Sequence, residues 1–550
     1  MENFEIVIFL MTILIALSAV ADKIKLPYPI LLVMVGLIIG FVPFLPNLDL
    51  SPDIVFLVFL PPLLHDAASK TSWHDFKREI RPITALAISL VFFTTVAVAV
   101  TAHYLIPGFS WPLAFVLGAI VSPPDAVAAT GITRGLGLNR KVITIIEGES
   151  LVNDASALIA YRYAVAAALS GTFVFWKAGL EFLWVAAGGI ITGLIIGYLL
   201  IFAHKKINNN AIVETSLTLL TPFVAYLLAE HFHASGVLAV VTAGLFISWR
   251  SREVFSSETR IHTKVVWDTI IFLLNGIIFI LIGLQMPAIV QNLKANTISE
   301  LVGFGLLISL VTIVIRILWV FAGAYYREVY NRKRNTDNED NPEHTSWQNV
   351  LIVAWTGTRG VVSLATALAL PLTLRTGEAF PKRHSILLLA FIVILVTLVV
   401  QGSTLPLLIR LLKIKPQLKI QKQEESDLRL ALTENVLHYL YNDFPLDLDD
   451  KVLKNVRNQY DLTYKMITKT KAPNRLKQDK SPVATYVSQM LSAQLELLRY
   501  ERELLIQYHK EGTFNDETIN KVERELDLEE LRLLALAEKE NIENKPADDL

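Results

Sequence analysis

AIVSPPDAVAATG, residues 119–131, interrupts an apolar run near its middle, and AWTGTRGVV, residues 354–362, does the same to a second run far along the chain. Proline has no N–H and its ring clashes with the preceding turn. Pro123 and Pro124 therefore take away the usual donors to the carbonyls of Ala119 and Ile120. Gly357 and Gly360 weaken the second helix on either side of Arg359. Freed carbonyls at membrane depth are tolerated only inside protein or beside a water-filled cavity, and they are good ligands for a hard cation. Interrupted helices in corresponding positions of two halves mark a transporter binding site. Close packing of small residues is the other reading of the glycine-rich stretch, and an arginine between the glycines argues against it.

The rest of the chain agrees with a membrane setting. Of 550 residues, 53% are hydrophobic and 18% charged, against about a quarter charged in soluble domains. A net charge of −1 leaves no nucleic-acid footprint. With no cysteine, disulfides, thiolate metal sites and cysteine nucleophiles are excluded. Residues 1–415 hold 25 of the 51 Asp and Glu, and the much shorter stretch 416–550 holds the other 26. The chain therefore reads as a transmembrane domain, 1–415, and a helical cytoplasmic tail, 416–550. The N-terminal MENFEIVIFL has no basic flank and reads as a first spanning helix rather than a cleaved signal.

A hydrocarbon core about 30 Å thick needs roughly 20 apolar residues per helix. Thirteen segments meet or approach this: 4–21, 27–44, 53–68, 83–105, 111–132, 142–169, 178–203, 211–231, 234–249, 267–292, 300–325, 346–374 and 384–412. Loops after odd-numbered segments carry 19 Lys and Arg, and the opposite loops carry 5. The positive-inside rule then puts the N-terminus outside and the tail in the cytoplasm.

Charges within the segments are few. Arg162, Arg316 and Glu214 read first as snorkelling side chains, and Asp66 divides between that and function. Asp125, Asp154 and Arg359 lie 12–14 residues into segments five, six and twelve, which at about 1.5 Å per residue brings all three near the midplane. An intramembrane ionisable residue is a functional site by default. Segment six, EGESLVNDASALIAYRY, places Glu149 with Asn153, and Ser150 with Asp154, at i,i+4 spacing. Arg359 needs a partner, for which Glu149 is the choice, leaving Asp154 for a mobile ion. A carboxylate in a poorly solvated cavity holds a proton or a cation, and the two states exclude each other. That exclusion suffices for exchange when the empty charged site does not reorient.

SPPDAVA, GESLVNDA and WTGTRGVV, with LPPLLHDAA in the third segment, closely resemble the cation:proton antiporter-1 family of sodium/proton exchangers, in particular its bacterial members. The resemblance implies an all-α membrane fold of about 13 transmembrane helices in two inverted six-helix repeats, with broken helices 5 and 12 crossing at the midplane. It implies that Asp154 binds cation and proton, that Asn153 and Asp125 complete the site, and that Ser150 contributes a ligand. Glu149 would pair with Arg359. The Asn153–Asp154 pair, in place of two aspartates, implies electroneutral 1:1 exchange. Many members read Asp-Pro in segment five; here Pro124 precedes Asp125 and Ala126 follows it, so the break is shifted and Ser122 is the remaining hydroxyl.

The expected function is exchange of Na⁺, or Li⁺ or K⁺, for H⁺ by alternating access, serving cytoplasmic pH and sodium homeostasis. A homodimer in a bacterial inner or plasma membrane, without cofactor or nucleic acid, is expected. The competing readings are a passive cation channel and an intramembrane protease with Asp125 and Asp154 as dyad. The latter leaves Arg359 and Asn153 without a role. In the tail, helical patterns run at 423–442, 484–510 and 515–541, with linkers at NDFPLDLDD and KAPNRLKQDKSP. The tail reads as a stalk or dimer contact, or as a regulator. The acidic loop NTDNEDNPEH reads as a solvated linker.

Overall fold

A computed structural model of the chain describes residues 2–24, 28–41, 55–125, 138–170, 175–207, 210–291, 293, 295–333, 346–374, 378–412, 418–442 and 450–470, with scattered residues between 494 and 534. Among the described residues the regular structure is helical, and the one β feature is an isolated bridge between Thr373 and Ala379.

The first helices are α1 (Glu2–Ile24) and α2 (Tyr28–Gly40), then α3 (Leu60–Lys70), which a π-helical turn at Val55–Phe59 precedes. The short α4 (Trp73–Arg78) and α5 (Ile80–Thr84) lead through a second π turn, Ala85–Leu90, into α6 (Val91–Leu105). Next come α7 (Trp111–Val121), α8 (Arg140–Ser170), α9 (Phe175–Lys206), α10 (Ala211–His231), α11 (Gly236–Val254) and α12 (Ser257–Leu284). The series continues with α13 (Met286–Gln291), α14 (Ala295–Lys333), α15 (Trp347–Trp355), α16 (Val361–Leu368) and α17 (Arg383–Val396). A third π turn, Thr397–Gln401, joins α17 to α18 (Gly402–Leu411).

Local chemistry sets many of these starts. Side chains of Ser72, Asn210, Ser235, Ser256 and Ser346 accept hydrogen bonds from backbone N–H groups of the first turns they precede, as N-caps should. By length and composition, six helical runs among the described residues can cross a membrane: Ile80–Leu105, Glu181–Lys206, Ala211–His231, Glu258–Leu281, Thr297–Tyr325 and Arg383–Leu411. Several other expected spans fall short of this measure for visible reasons. The run 346–374 is cut between α15 and α16, α7 stops at Val121 just before the prolines, and α8 carries Glu147, Glu149 and Asp154.

The helices up to α18 pack in two groups. In one, α9, α10, α11 and α12 pack with α1, α2 and α3; in the other, α6, α7 and α8 pack with α14 to α18. Contacts between the groups are sparser and include α8 with α11 and α12 with α16. Both broken segments belong to the second group.

The chain divides into two compact units, Met1–Leu418 and Lys419–Leu550. In the second, α19 (Leu418–Asn442) lies against α20 (Asp450–Thr470): Tyr464 donates to Glu434 and Tyr441 to Asp461, both at 3.2 Å, and Arg457 donates to the Leu440 carbonyl at 2.8 Å. The sequence patterns anticipate α19 but not α20. The loop 335–344, residues 443–449 of the first expected linker, the second linker at 471–482 and most of the last two tail helices lie outside the described residues.

Candidate functional site

The two breaks meet. After Val121, residues 122–125 leave the helix, and residues 356–360 separate α15 from α16. The backbone N–H of Asp125 donates to the Thr358 carbonyl at 2.6 Å, and the Thr358 hydroxyl returns a bond to the Asp125 carbonyl at 3.1 Å. The Asp125 carboxylate accepts from the backbone N–H of Val361 at 3.0 Å. That N–H opens α16, so the carboxylate sits at the positive end of a half-helix. A Cβ on Gly360 would collide with this carboxylate, and one on Gly357 with the Arg316 side chain. These glycines let neighbouring groups approach as well as weakening the helix.

Asn153 and Asp154 come to the breaks from α8. Asn153 is fully buried, and its amide donates to the Pro124 carbonyl at 2.9 Å. Its Oδ1 has no hydrogen-bond partner among the described residues. Asp154 is 5% exposed and lies close enough to Asp125 for the two carboxylates to interact electrostatically. The structure gives Asp154 no hydrogen bond or ion pair among the described residues. Ser150, one turn earlier, is half-buried. Ser122 turns back on α7, and its hydroxyl donates to the Ala119 carbonyl at 3.2 Å. The proline break thus does not leave that carbonyl open.

The expected Glu149–Arg359 ion pair is not formed. Glu149 is held instead by Arg316 of α14, with Nη1 and Nη2 donating at 2.5 and 2.8 Å to the two carboxylate oxygens. Arg316 Nη2 also donates to the Val353 carbonyl at 3.1 Å. This guanidinium is 1% exposed, so it does not snorkel. A bidentate fork matches both planar groups, and the further carbonyl helps satisfy its remaining donors. Arg359 is spent on the breaks themselves. Its Nε donates to the Val121 carbonyl at 3.1 Å, its Nη1 to the Gly357 carbonyl, and its backbone N–H to the Thr397 hydroxyl at 3.1 Å. It caps the end of α7 and braces the unwound segment, and carbonyl dipoles take the place of a counter-ion.

The other intramembrane charges also have company. Arg162 donates to both oxygens of Glu230, at 2.7 and 2.9 Å. Glu214 is buried with its carboxylate 3.7 Å from His204. Asp66 receives Lys70 at 2.9 Å, and Lys70 also reaches Asp268 at 2.8 Å. Sequence reasoning missed Arg316, whose signal was its depth: it sits mid-way along the run 300–325.

The site is therefore a buried carboxylate, Asp154, beside an amide oxygen and two unwound segments. It can accept a proton or a bare monovalent cation, and the fixed charges around it, Asp125, Glu149, Arg316 and Arg359, are engaged by other groups of the protein. Among the described residues no cluster of three or more His, Cys, Asp or Glu could hold a metal ion.

Among known proteins, the fold resembles that of the sodium proton antiporter MjNhaP1 from Methanocaldococcus jannaschii, with a TM-score of 0.60 over 75% of this chain and 99% of that one. At 21% identity the likeness speaks for the fold. The sodium, potassium, lithium and rubidium/H⁺ antiporter of Bacillus pumilus is 33% identical over 419 residues, which is 74% of this chain and 61% of that protein's length. An uncharacterised Na⁺/H⁺ exchanger of Escherichia coli, YjcE, is 30% identical over 96% of this chain and 98% of its own. Residues 8–411 match the transmembrane sodium/hydrogen exchanger family, and the chain belongs to that family.

Proposed function

We propose that the protein exchanges a monovalent cation, Na⁺ foremost and Li⁺ or K⁺ as further substrates, for H⁺, one for one. The observation that carries this reading is the state of Asp154: a deeply buried carboxylate without an ion-pair or hydrogen-bond partner among the described residues. A carboxylate so placed needs a proton or a cation, and it cannot take both. The names of relatives, spanning sodium, potassium, lithium and rubidium antiport, support the cation class.

Asp154 is the group the two ions share. Asn153, tied to Pro124, presents its free oxygen beside it, and Ser150 and Ser122 supply further oxygens. Asp125 is held by α16 and tunes the site electrostatically. Glu149 and Arg316 fix α8 to α14, while Arg359 holds the two breaks together. Alternating access then follows from movement of the second helix group against the first. The charge asymmetry of the loops places the N-terminus outside and residues 416–550 in the cytoplasm, and the chain works as a homodimer in pH and sodium homeostasis.

The test is collapse of an imposed pH gradient in proteoliposomes on adding Na⁺, Li⁺ or K⁺. Wild type should collapse it with at least one cation, with or without a voltage clamp, and Asp154→Asn should not, while remaining folded. Acidification should raise the cation concentration needed for half-maximal exchange, because proton and cation compete. Exchange surviving in Asp154→Asn removes that residue from its role; no collapse by wild type with any cation removes the function.

A further inference from the structure

The last spanning run bears a polar stripe that the exchange reading does not use. Thr397, Gln401 and Thr404 are spaced four and three residues apart, so they share one face. The outer two grip the break in the neighbouring helix from its two ends. Thr397 accepts from the backbone N–H of Arg359 at 3.1 Å, and Thr404 accepts from Trp355 Nε1 at 3.0 Å. Gln401 lies between them on the face turned to residues 356–360. It is completely buried, yet neither its carbonyl oxygen nor its amide nitrogen has a hydrogen-bond partner among the described residues. Arg316 Nε, against Gly357 on the same unwound segment, is likewise buried without a partner.

A buried carboxamide with both ends unpaired is unfavourable, and an apolar side chain of the same size would serve the resting structure better. Gln401 also closes a π turn, a feature concentrated at functional sites. The unwound segment is meanwhile held by partners from several elements: Asp125 on the Val361 N–H, Thr397 on the Arg359 N–H, and Arg316 on the helix end before it. Any shift of the segment breaks some of these bonds at once, and the buried backbone groups it frees then need other partners.

We propose that Gln401 is a positioning residue for the transport cycle: its carboxamide takes up hydrogen bonds of the 356–360 segment or of Arg316 when the break rearranges, and so lowers the energy of a state other than the one described. A donor and an acceptor on one side chain suit it to both the N–H groups and the carbonyls of unwound backbone. The inference rests on the exchange reading, so wild-type exchange in the same vesicles is established first; its absence defeats that reading rather than this one.

Gln401→Met removes both polar atoms at nearly constant volume. Turnover, half-saturating cation concentration and thermal unfolding of the full chain are measured side by side. The expected result is turnover lower by about tenfold or more with an unchanged half-saturating concentration, the pattern of a lost interaction outside the ground state, together with an unfolding temperature equal to or above wild type. Turnover within about twofold of wild type overturns the proposal, since even a weak net hydrogen bond is worth about twofold and a stronger one about tenfold. So does a variant that unfolds, because the state described gives the carboxamide no bond to lose.

Discussion

Asp154 and Arg316 show what the sequence makes legible at single residues and what it does not. The depth of Asp154 follows from counting along an apolar helix; that it has no partner among the described residues does not follow from depth, since Glu149 is as buried and is paired. Which arginine meets Glu149 is a tertiary event. Arg359 and Arg316 are both mid-membrane, and nothing in their spacing says which guanidinium faces the carboxylate. The proline and glycine breaks decide it, because they expose carbonyls of Val121 and Gly357 that occupy Arg359 and leave Glu149 to the other helix. Removing one member of a buried ion pair costs about 3–5 kcal/mol, so Glu149→Gln and Arg316→Met should each strongly lower stability in detergent. The double variant should recover part of that loss. A cycle without coupling between positions 149 and 316 would reject the pair.

At the level of elements, the interrupted helices were readable because proline and glycine act through the backbone, independent of their neighbours. The polar contacts that stabilise the breaks were not, since Thr358 and Thr397 look like ordinary members of apolar runs. The helix α20 was missed for another reason: the acidic NDFPLDLDD ahead of it reads as a turn, and Asp450 in fact opens the helix. The meeting of α16 with Asp125 depends on a bare backbone at Gly360. Gly360→Ala should displace that carboxylate and reduce exchange by about tenfold or more, as misplacement near 1 Å does at other sites. Gly303→Ala is the control, because a Cβ there has nothing within 4 Å and alanine favours a helix interior. Equal exchange by Gly360→Ala and wild type would mean that Asp125 does not depend on this approach.

For the whole molecule, the helix groups belong to one compact unit, Met1–Leu418, and a second unit runs from Lys419 to Leu550. The sidedness proposed for them rests on loop charge alone. The absence of cysteine makes it easy to probe. Lys177, in the first turn of α9, and Asn338 lie in stretches that the loop-charge count assigns to opposite sides. In intact cells a membrane-impermeant thiol reagent should label Lys177→Cys and leave Asn338→Cys unlabelled until the membrane is opened. The reverse pattern would invert the topology, and with it the placement of residues 416–550.

The reciprocal bonds between Asp125 and Thr358 stitch two chain segments, 233 residues apart in sequence, into one piece. Such a seam divides labour. On the proposed reading, what the compartment accepts is written in residues fastened to one another, whereas its pace depends also on the wall it slides along. On the proposed reading, selection could then retune the pace of transport through α1 to α3 and α9 to α12 while the choice of ion stays untouched, so relatives with different turnover need share only the seam.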